Sequence, residues 1–249
     1  MTENKTDKEP DMNQADKLME KGKFMDSLRI LNVLAQKNEG KDEELCEIYG
    51  KMSQAYYGLE KFRTDNSLTY MEKCITLREK IGDIPGLALD FMNYAYLLDE
   101  KGESPRASES IEKGIEIAKK TGDEQLELTI LSARADILSG KKRTINQAME
   151  IYAEVMERSR KIEDWDAYFE AEAGLIKAYR ETGNSGKAEE EIKNGMETAD
   201  RIIASMKTQK QKAEFKEIIS YLYDLAVDMA LESEDVNRAM ELAQKLKNL

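Results

Sequence analysis

Apolar residues recur along this chain at steps of three and four positions, the spacing that places side chains on one face of an α-helix. Ile111, Ile115 and Ala118 are one example. The intervals between turns are rich in Ala, Leu, Glu, Lys, Met and Gln, which favour helices, and only three prolines interrupt them, at positions 10, 85 and 105. No convincing run of alternating β-branched residues occurs. The pattern therefore predicts an all-α protein.

The predicted helices repeat with a period near 40 residues. Small residues early in every second helix follow one another at steps of 40, 40, 41, 40 and 51; they are Ser27, Ser67, Ala107, Ala148, Ala188 and Ala239. Aspartates at predicted helix starts give a second marker with steps of 41, 40 and 41, namely Asp42, Asp83, Asp123 and Asp164. A fixed period of this size in helical sequence indicates a solenoid of helix pairs. We explain the longer last step by an extended second helix in the fifth pair and a long first helix in the sixth.

Glycine-aspartate dipeptides mark the junctions between predicted pairs. Gly122 stands where a helix ends and a left-handed residue is favoured, and Asp123 stands where the next helix needs a cap. The same junction occurs at Gly82-Asp83, whereas Glu163 replaces the glycine before Asp164. The aspartate spacing of a calcium-binding EF-hand loop is missing, so these dipeptides are interpreted as turns.

The offsets of small and aromatic residues resemble those of the tetratricopeptide repeat. The third and fifth repeats carry the pattern most fully, in Tyr94, Ala95, Leu98, Gly102, Ala107, Ile111 and Gly114, and in Leu175, Ile176, Tyr179, Gly183, Ala188, Ile192 and Gly195. The period exceeds the usual value of about 34 residues. It is similar to the long-helix variety found in kinesin light chain and in bacterial Rap-type regulators. The resemblance implies a right-handed α-solenoid of antiparallel helix pairs with about six repeats.

The repeat also predicts how the chain is organised. We expect residues 1–10 to be a disordered polar N-terminus and residues 11–249 to form one solenoid domain. The predicted repeats span about residues 11–41, 42–82, 83–122, 123–163, 164–207 and 208–249.

The chain is acidic, with a formal net charge of −12. This charge disfavours nucleic acid and anionic membrane surfaces as partners, and it favours proteins or peptides with basic character. The polar N-terminus lacks the apolar core of a secretory signal. Cys46 and Cys74 form no disulfide framework, and we interpret them as small core residues. These features favour a reducing cytoplasm.

The residue types argue against an enzyme. Histidine is absent, which removes the usual general base and the commonest transition-metal ligand. Neither a phosphate-binding GxxxxGK[ST] loop nor a dinucleotide-binding GxGxxG motif occurs. The sequence therefore predicts no catalytic residues, no metal site and no cofactor.

In solenoids of helix pairs the first helix of each pair lines a concave groove, and the resemblance implies that this groove binds ligands. The candidate ligand-binding residues are Gln54, Tyr57, Met92, Asn93, Tyr96, Lys177 and Arg180. The aromatic and methionine side chains would be apolar anchors, and the two amides would hydrogen-bond an extended backbone. The two cations would bind a carboxylate of a partner, or pair with Glu181 and Asp136. The alternative for the whole set is packing between helices or exposure to solvent.

Three functions remain open at this level. The first is a non-enzymatic scaffold or adaptor that binds a protein or peptide in the groove. The second, implied by the resemblance to Rap-type proteins, is a ligand-sensing module that regulates an enzyme or a response regulator. The third is a homo-oligomeric assembly formed through the C-terminal repeat.

Overall fold

The computed structural model describes residues 10–60 and 65–248, and within these ranges the regular structure consists of twelve α-helices. Their bounds are α1 Met12–Glu20, α2 Phe24–Lys37, α3 Asp42–Glu60, α4 Asp65–Ile81, α5 Ile84–Glu100, α6 Ser104–Thr121, α7 Glu124–Ser139, α8 Ile145–Lys161, α9 Trp165–Glu181, α10 Ser185–Ser205, α11 Gln209–Glu232 and α12 Val236–Lys247. The prediction of an all-α protein is confirmed. Apart from Pro10, the segment predicted to be disordered lies outside the described residues.

By its internal contacts the chain divides into two compact units, Met1–Asp123 and Glu124–Leu249. The first unit contains α1 to α6 and the second contains α7 to α12. Within each unit every helix packs against the next one along the chain. First helices also contact each other, α1 with α3 in the first unit and α7 with α9 and α9 with α11 in the second. The single domain predicted for residues 11–249 stays a prediction.

The small residues that mark the repeat are buried between helices. All six lie on the second helix of a pair, and none exposes more than 5% of its surface: Ser27, Ser67, Ala107, Ala148, Ala188 and Ala239. A larger side chain at such a position would hold the two helix axes apart. The repeat in the sequence is therefore a repeat of close helix contacts.

The contact between α3 and α4 shows how small side chains bring two helices together. The Ser53 hydroxyl donates to the Ser67 carbonyl at 2.8 Å, and the Ser67 hydroxyl donates to the Ser53 carbonyl at 2.8 Å. Cys46 lies seven residues before Ser53, and Cys74 lies seven residues after Ser67. These two cysteines repeat the reciprocal arrangement, as expected for antiparallel helices.

The junctions between pairs take the predicted turn geometry. Gly122 follows α6 with a left-handed φ of 72°. Before α9, Glu163 occupies the equivalent position with a φ of 58°, although it is not a glycine. The Asp164 carboxylate then caps α9 by accepting a hydrogen bond from the backbone N–H of Ala167 at 3.2 Å.

Two long helices account for the 51-residue step in the repeat. α10 has 21 residues and ends at Ser205, and α11 has 24 residues. The Thr208 side chain caps α11 in a capping box with Gln211. None of the helices formed by the described residues is long and apolar enough to cross a membrane.

Candidate ligand-binding cavities

The first compact unit contains a cavity of about 800 Å³, which we call the first cavity. It is lined mainly by α3 and α5, the first helices of two successive pairs, and α1 and α4 contribute three residues each. Four of the seven predicted ligand-binding residues line it: Gln54, Tyr57, Asn93 and Tyr96. Met92 does not line it and is half-buried on α5.

Two polar contacts join neighbouring first helices around this cavity. The Lys51 ammonium on α3 lies 2.7 Å from an Asp16 carboxylate oxygen on α1. The Tyr57 hydroxyl on α3 donates to Glu100 Oε1 on α5 at 2.5 Å. That hydrogen bond is the main cause of the raised pKa of the Tyr57 phenol. Tyr57 is therefore exposed to solvent, while its hydroxyl hydrogen is already donated to Glu100.

An ion pair between a half-buried guanidinium and a buried carboxylate forms part of the cavity wall. The Arg78 Nε group on α4 donates to Asp90 Oδ2 on α5 at 2.6 Å, and the same guanidinium contacts the Asp83 carboxylate. Burial of Asp90 raises the pKa of its carboxyl group above the ordinary value, and the neighbouring Arg78 opposes this shift. Asp90 Oδ2 also accepts a hydrogen bond from the Cys74 thiol at 3.2 Å. Asp90 thus links the cavity wall to the cysteine contact between α3 and α4.

The charged side chains that line the first cavity are predominantly acidic. Four carboxylates line it, those of Asp16, Glu47, Asp90 and Glu100, against the two cations of Lys51 and Arg78. Because both cations are paired with carboxylates, the cavity presents a negative potential to a ligand.

A second cavity, of about 610 Å³, lies in the second compact unit. It is lined by residues of α7, α8, α9 and α11, and its carboxylates are Asp136, Asp166, Glu170 and Glu181. Lys177 also lines it, with its ammonium 4.5 Å from the centre of the Tyr221 ring. Burial and the neighbouring carboxylates raise the pKa of Glu170. This cavity is acidic as well.

Arg180 differs from Lys177 in its surroundings. Its guanidinium forms an ion pair with Glu232 on α11, and Arg180 does not line the second cavity. Asp136, considered from the sequence as a partner for these cations, accepts a hydrogen bond from the Tyr152 hydroxyl at 2.6 Å. The seven predicted residues thus fall in two compact units, five in the first and two in the second.

One group of three potential metal ligands comes together among residues 10–60 and 65–248. The ligand atoms of Cys46, Cys74 and Asp90 lie within 4.8 Å of one another, and all three residues are buried. The two sulfur atoms are 3.0 Å apart. Two sulfur ligands on a tetrahedral zinc ion, each bound at about 2.3 Å, would lie about 3.8 Å apart. The two sulfur atoms are therefore closer together than two zinc ligands would be, and the geometry does not suit a zinc site.

Sequence reasoning missed a buried carboxyl group in the second unit. Glu172 on α9 is fully buried, and its Oε2 atom has no hydrogen-bond partner. Burial is the main cause that raises the pKa of Glu172 to about 9, and the Glu191 carboxylate adds to the shift. Gly195 on α10 makes room for it, because a Cβ atom there would overlap the Glu172 carboxyl group. The signal was present in the sequence as an acid within the apolar stripe of α9.

Comparison with known proteins identifies the fold. No protein-family model matches the chain, and a search of curated proteins also finds no match. Among solved structures, a putative kinesin light chain from Podosopora anserina with TPR-like repeats superposes with a TM-score of 0.63 at 14% identity, over 78% of this chain and 94% of that one. A Rap protein complexed with Competence and Sporulation Factor superposes with a TM-score of 0.67 at 15% identity, over 94% of this chain and 62% of the Rap chain.

A signal-transduction ATPase from Pyrococcus horikoshii with a tetratricopeptide repeat sensor gives a TM-score of 0.65 at 19% identity. The match covers 94% of this chain and 34% of the ATPase. At these identities the similarity concerns the fold. The chain therefore has the helical-repeat fold of TPR-like proteins, as its sequence predicts.

Proposed function

We propose that the chain is a non-enzymatic binding scaffold whose first cavity holds an extended basic segment of a protein or peptide. The observation that carries this proposal is that the first helices of three successive pairs share one cavity of about 800 Å³. A cavity of this size is in the range of small-ligand sites and accommodates several side chains of an extended segment.

The side chains around the first cavity suit an extended backbone. Gln54 on α3 and Asn93 on α5 are exposed, and each amide offers both a donor and an acceptor. An extended segment leaves its own N–H and C=O groups available for such amides. Tyr57 and Tyr96 add aromatic surface with few rotatable bonds, which limits the entropy lost on binding.

The charge of the first cavity selects the character of the ligand. Asp16 and Lys51 neutralise each other, as do Asp90 and Arg78, so Glu47 and Glu100 give the cavity its excess negative charge. Lysine or arginine side chains of a ligand would reduce this repulsion between carboxylates. A basic segment is therefore the proposed ligand class, and the acidic chain as a whole would increase its association rate.

The comparisons support binding in two ways. The Rap structure is a complex with Competence and Sporulation Factor, and the kinesin light chain structure is built of TPR-like repeats. The first of these also supports the alternative function, a ligand-sensing module that regulates another enzyme. Both functions begin with occupation of the cavity, so the same binding test applies to both. Because Cys46 and Cys74 are free thiols, we propose the cytoplasm as the compartment.

Peptide selection on the immobilised full chain tests the proposal. Two displayed libraries of random decapeptides are used, one with lysine and arginine fixed at alternate positions and one with glutamate at those positions. We expect enrichment from the basic library only. No enrichment from the basic library, or equal enrichment from the acidic one, would overturn the proposed ligand class.

A further inference from the structure

Two thiols lie in contact behind the wall of the first cavity. Cys46 on α3 and Cys74 on α4 are 28 residues apart in sequence, and their sulfur atoms are 3.0 Å apart. Both residues are buried, with exposed fractions of 1% and 0%. The peptide-binding function uses neither thiol.

The backbones at this point are held close enough for a covalent link. Cys74 Sγ lies 3.1 Å from the Cys46 carbonyl oxygen, and Cys46 Sγ lies 3.5 Å from the Cys74 carbonyl oxygen. The reciprocal hydrogen bonds of Ser53 and Ser67 fix the same two helices two turns further along. Each sulfur therefore points across the contact at the other residue, and a disulfide would need the two sulfur atoms to approach from 3.0 Å to about 2.05 Å.

We propose that Cys46 and Cys74 are a redox-active pair that closes to an intramolecular disulfide when a peroxide oxidises one of the thiols. In the first step the Cys46 sulfur attacks one oxygen of hydrogen peroxide, which gives a sulfenic acid and releases water. In the second step the Cys74 sulfur attacks the Cys46 sulfur, and the hydroxyl group leaves with the Cys74 proton as a second water. The two thiols lose two electrons, and the peroxide gains them.

The surroundings of the two thiols set this order of attack. Burial raises the pKa of the Cys46 thiol, and the positive charge of Arg78 opposes that shift. Asp90 opposes ionisation of both thiols, but Cys74 is the one that donates a hydrogen bond to its carboxylate. Burial raises the pKa of both thiols, so the reaction is slow near neutral pH and accelerates as the pH rises.

The first cavity gives hydrogen peroxide a route to the thiols, and oxidation of the thiols alters the wall of this cavity. Gly50, Arg78 and Asp90 line it and also lie next to the thiol pair, so a molecule as small as hydrogen peroxide has a short distance to travel. When the disulfide forms, Asp90 loses the thiol donor at 3.2 Å. Oxidation thereby changes the hydrogen bonding of a side chain in the cavity wall.

Peptide mapping after peroxide treatment tests the proposal on the full chain. The folded protein is treated at low concentration, quenched with catalase, unfolded with N-ethylmaleimide and digested with trypsin. Cleavage after lysine and arginine gives the peptides 42–51 and 74–78, which hold one cysteine each and no methionine. We expect the two peptides to appear mainly as one linked species, two hydrogens lighter than their sum, that dithiothreitol separates.

Three other results would overturn the proposal. The first is that N-ethylmaleimide still alkylates both cysteines after prolonged peroxide treatment. The second is that each cysteine separately gains two or three oxygen atoms. The third is a stable sulfenic acid on Cys46 that dimedone traps in the wild-type chain. Cys46→Ser and Cys74→Ser are the controls, and neither should give the linked species. Because peptide mapping needs no peptide ligand, its result does not depend on whether the proposed binding function is correct.

Discussion

The Tyr57 hydroxyl donates a hydrogen bond to Glu100 Oε1 at 2.5 Å, and both residues line the first cavity. The bond links α3 to α5, the first helices of two successive pairs. The hydroxyl donor is therefore already used within the protein, while Tyr57 as a whole keeps 42% of its surface exposed to a ligand. The two roles can be separated by mutation.

For a selected basic peptide, Tyr57→Ala should weaken binding about tenfold, because about 1.4 kcal/mol of ring contact is lost. Tyr57→Phe keeps the ring and should bind within about threefold of wild type, while the unfolding free energy falls by about 0.5–1 kcal/mol. Fluorescence anisotropy and chemical denaturation measure the two quantities. If Tyr57→Phe loses as much affinity as Tyr57→Ala, the hydroxyl is the ligand contact and the ring is not.

Glu172→Gln should stabilise the protein above neutral pH. The pKa of Glu172 in the folded state is raised to about 9 from an ordinary 4.5, so the folded chain holds a proton that the unfolded chain releases. The contribution of Glu172 to the free energy of unfolding is therefore largest below about pH 4.5, and it falls as the pH rises towards 9. An amide of the same shape removes this loss, and we expect a gain of about 2 kcal/mol or more at pH 8. Denaturation at pH 5 and pH 8 measures it.

Glu189→Gln is the matched control, because Glu189 is an exposed carboxyl group on α10. It should leave the difference in stability between pH 5 and pH 8 unchanged. A Glu172→Gln variant with the same pH dependence as wild type would show that Glu172 ionises normally in the folded protein.

Asp90→Asn should destabilise the first unit by about 1–3 kcal/mol. The change removes the buried negative charge opposite the Arg78 guanidinium and leaves Asp83 as its remaining carboxylate partner. Thermal and chemical denaturation measure the loss. The control is Asp26→Asn, since the Asp26–Arg29 pair is exposed and contributes little. Equal effects of the two substitutions would contradict the importance of the buried pair.

Glu163→Gly should stabilise the junction before α9 by about 0.5–1 kcal/mol, because Glu163 has a positive φ of 58° that glycine adopts without strain. Gly122→Ala is the reciprocal test at a φ of 72° and should destabilise by a similar amount. Denaturation midpoints compare the two variants. A loss of stability in Glu163→Gly would mean that the Glu163 side chain contributes more than its backbone conformation costs.

The sequence predicted the helix pairs well because the small residues that mark them have a direct physical cause. Ala188 and Ala107, for example, recur because each lies at a close helix contact, and burial follows from that contact. The turn at Gly122 was predictable for a similar reason, since left-handed backbone favours glycine. Such local rules need no knowledge of distant residues.

Contacts between distant residues were beyond these rules. The approach of Cys46 to Cys74 depends on the register of two antiparallel helices, which a repeat period does not specify. Arg180 pairs with Glu232, a residue 52 positions away that the spacing along α9 does not indicate. Four of the seven predicted residues do share one cavity, but which side chains a ligand contacts stays a prediction.

Binding of a basic segment in the first cavity is tested most directly by a pair of asparagine variants. Asn93→Ala removes an exposed amide that lines the cavity, and Asn194→Ala removes an exposed amide on α10 in the other compact unit. The measurement is the dissociation constant of a fluorescein-labelled peptide selected from the basic library, with helicity and melting temperature recorded for both variants. We predict at least fivefold weaker binding, about 1 kcal/mol, for Asn93→Ala and unchanged binding for Asn194→Ala. Equal affinity of both variants would contradict the claim.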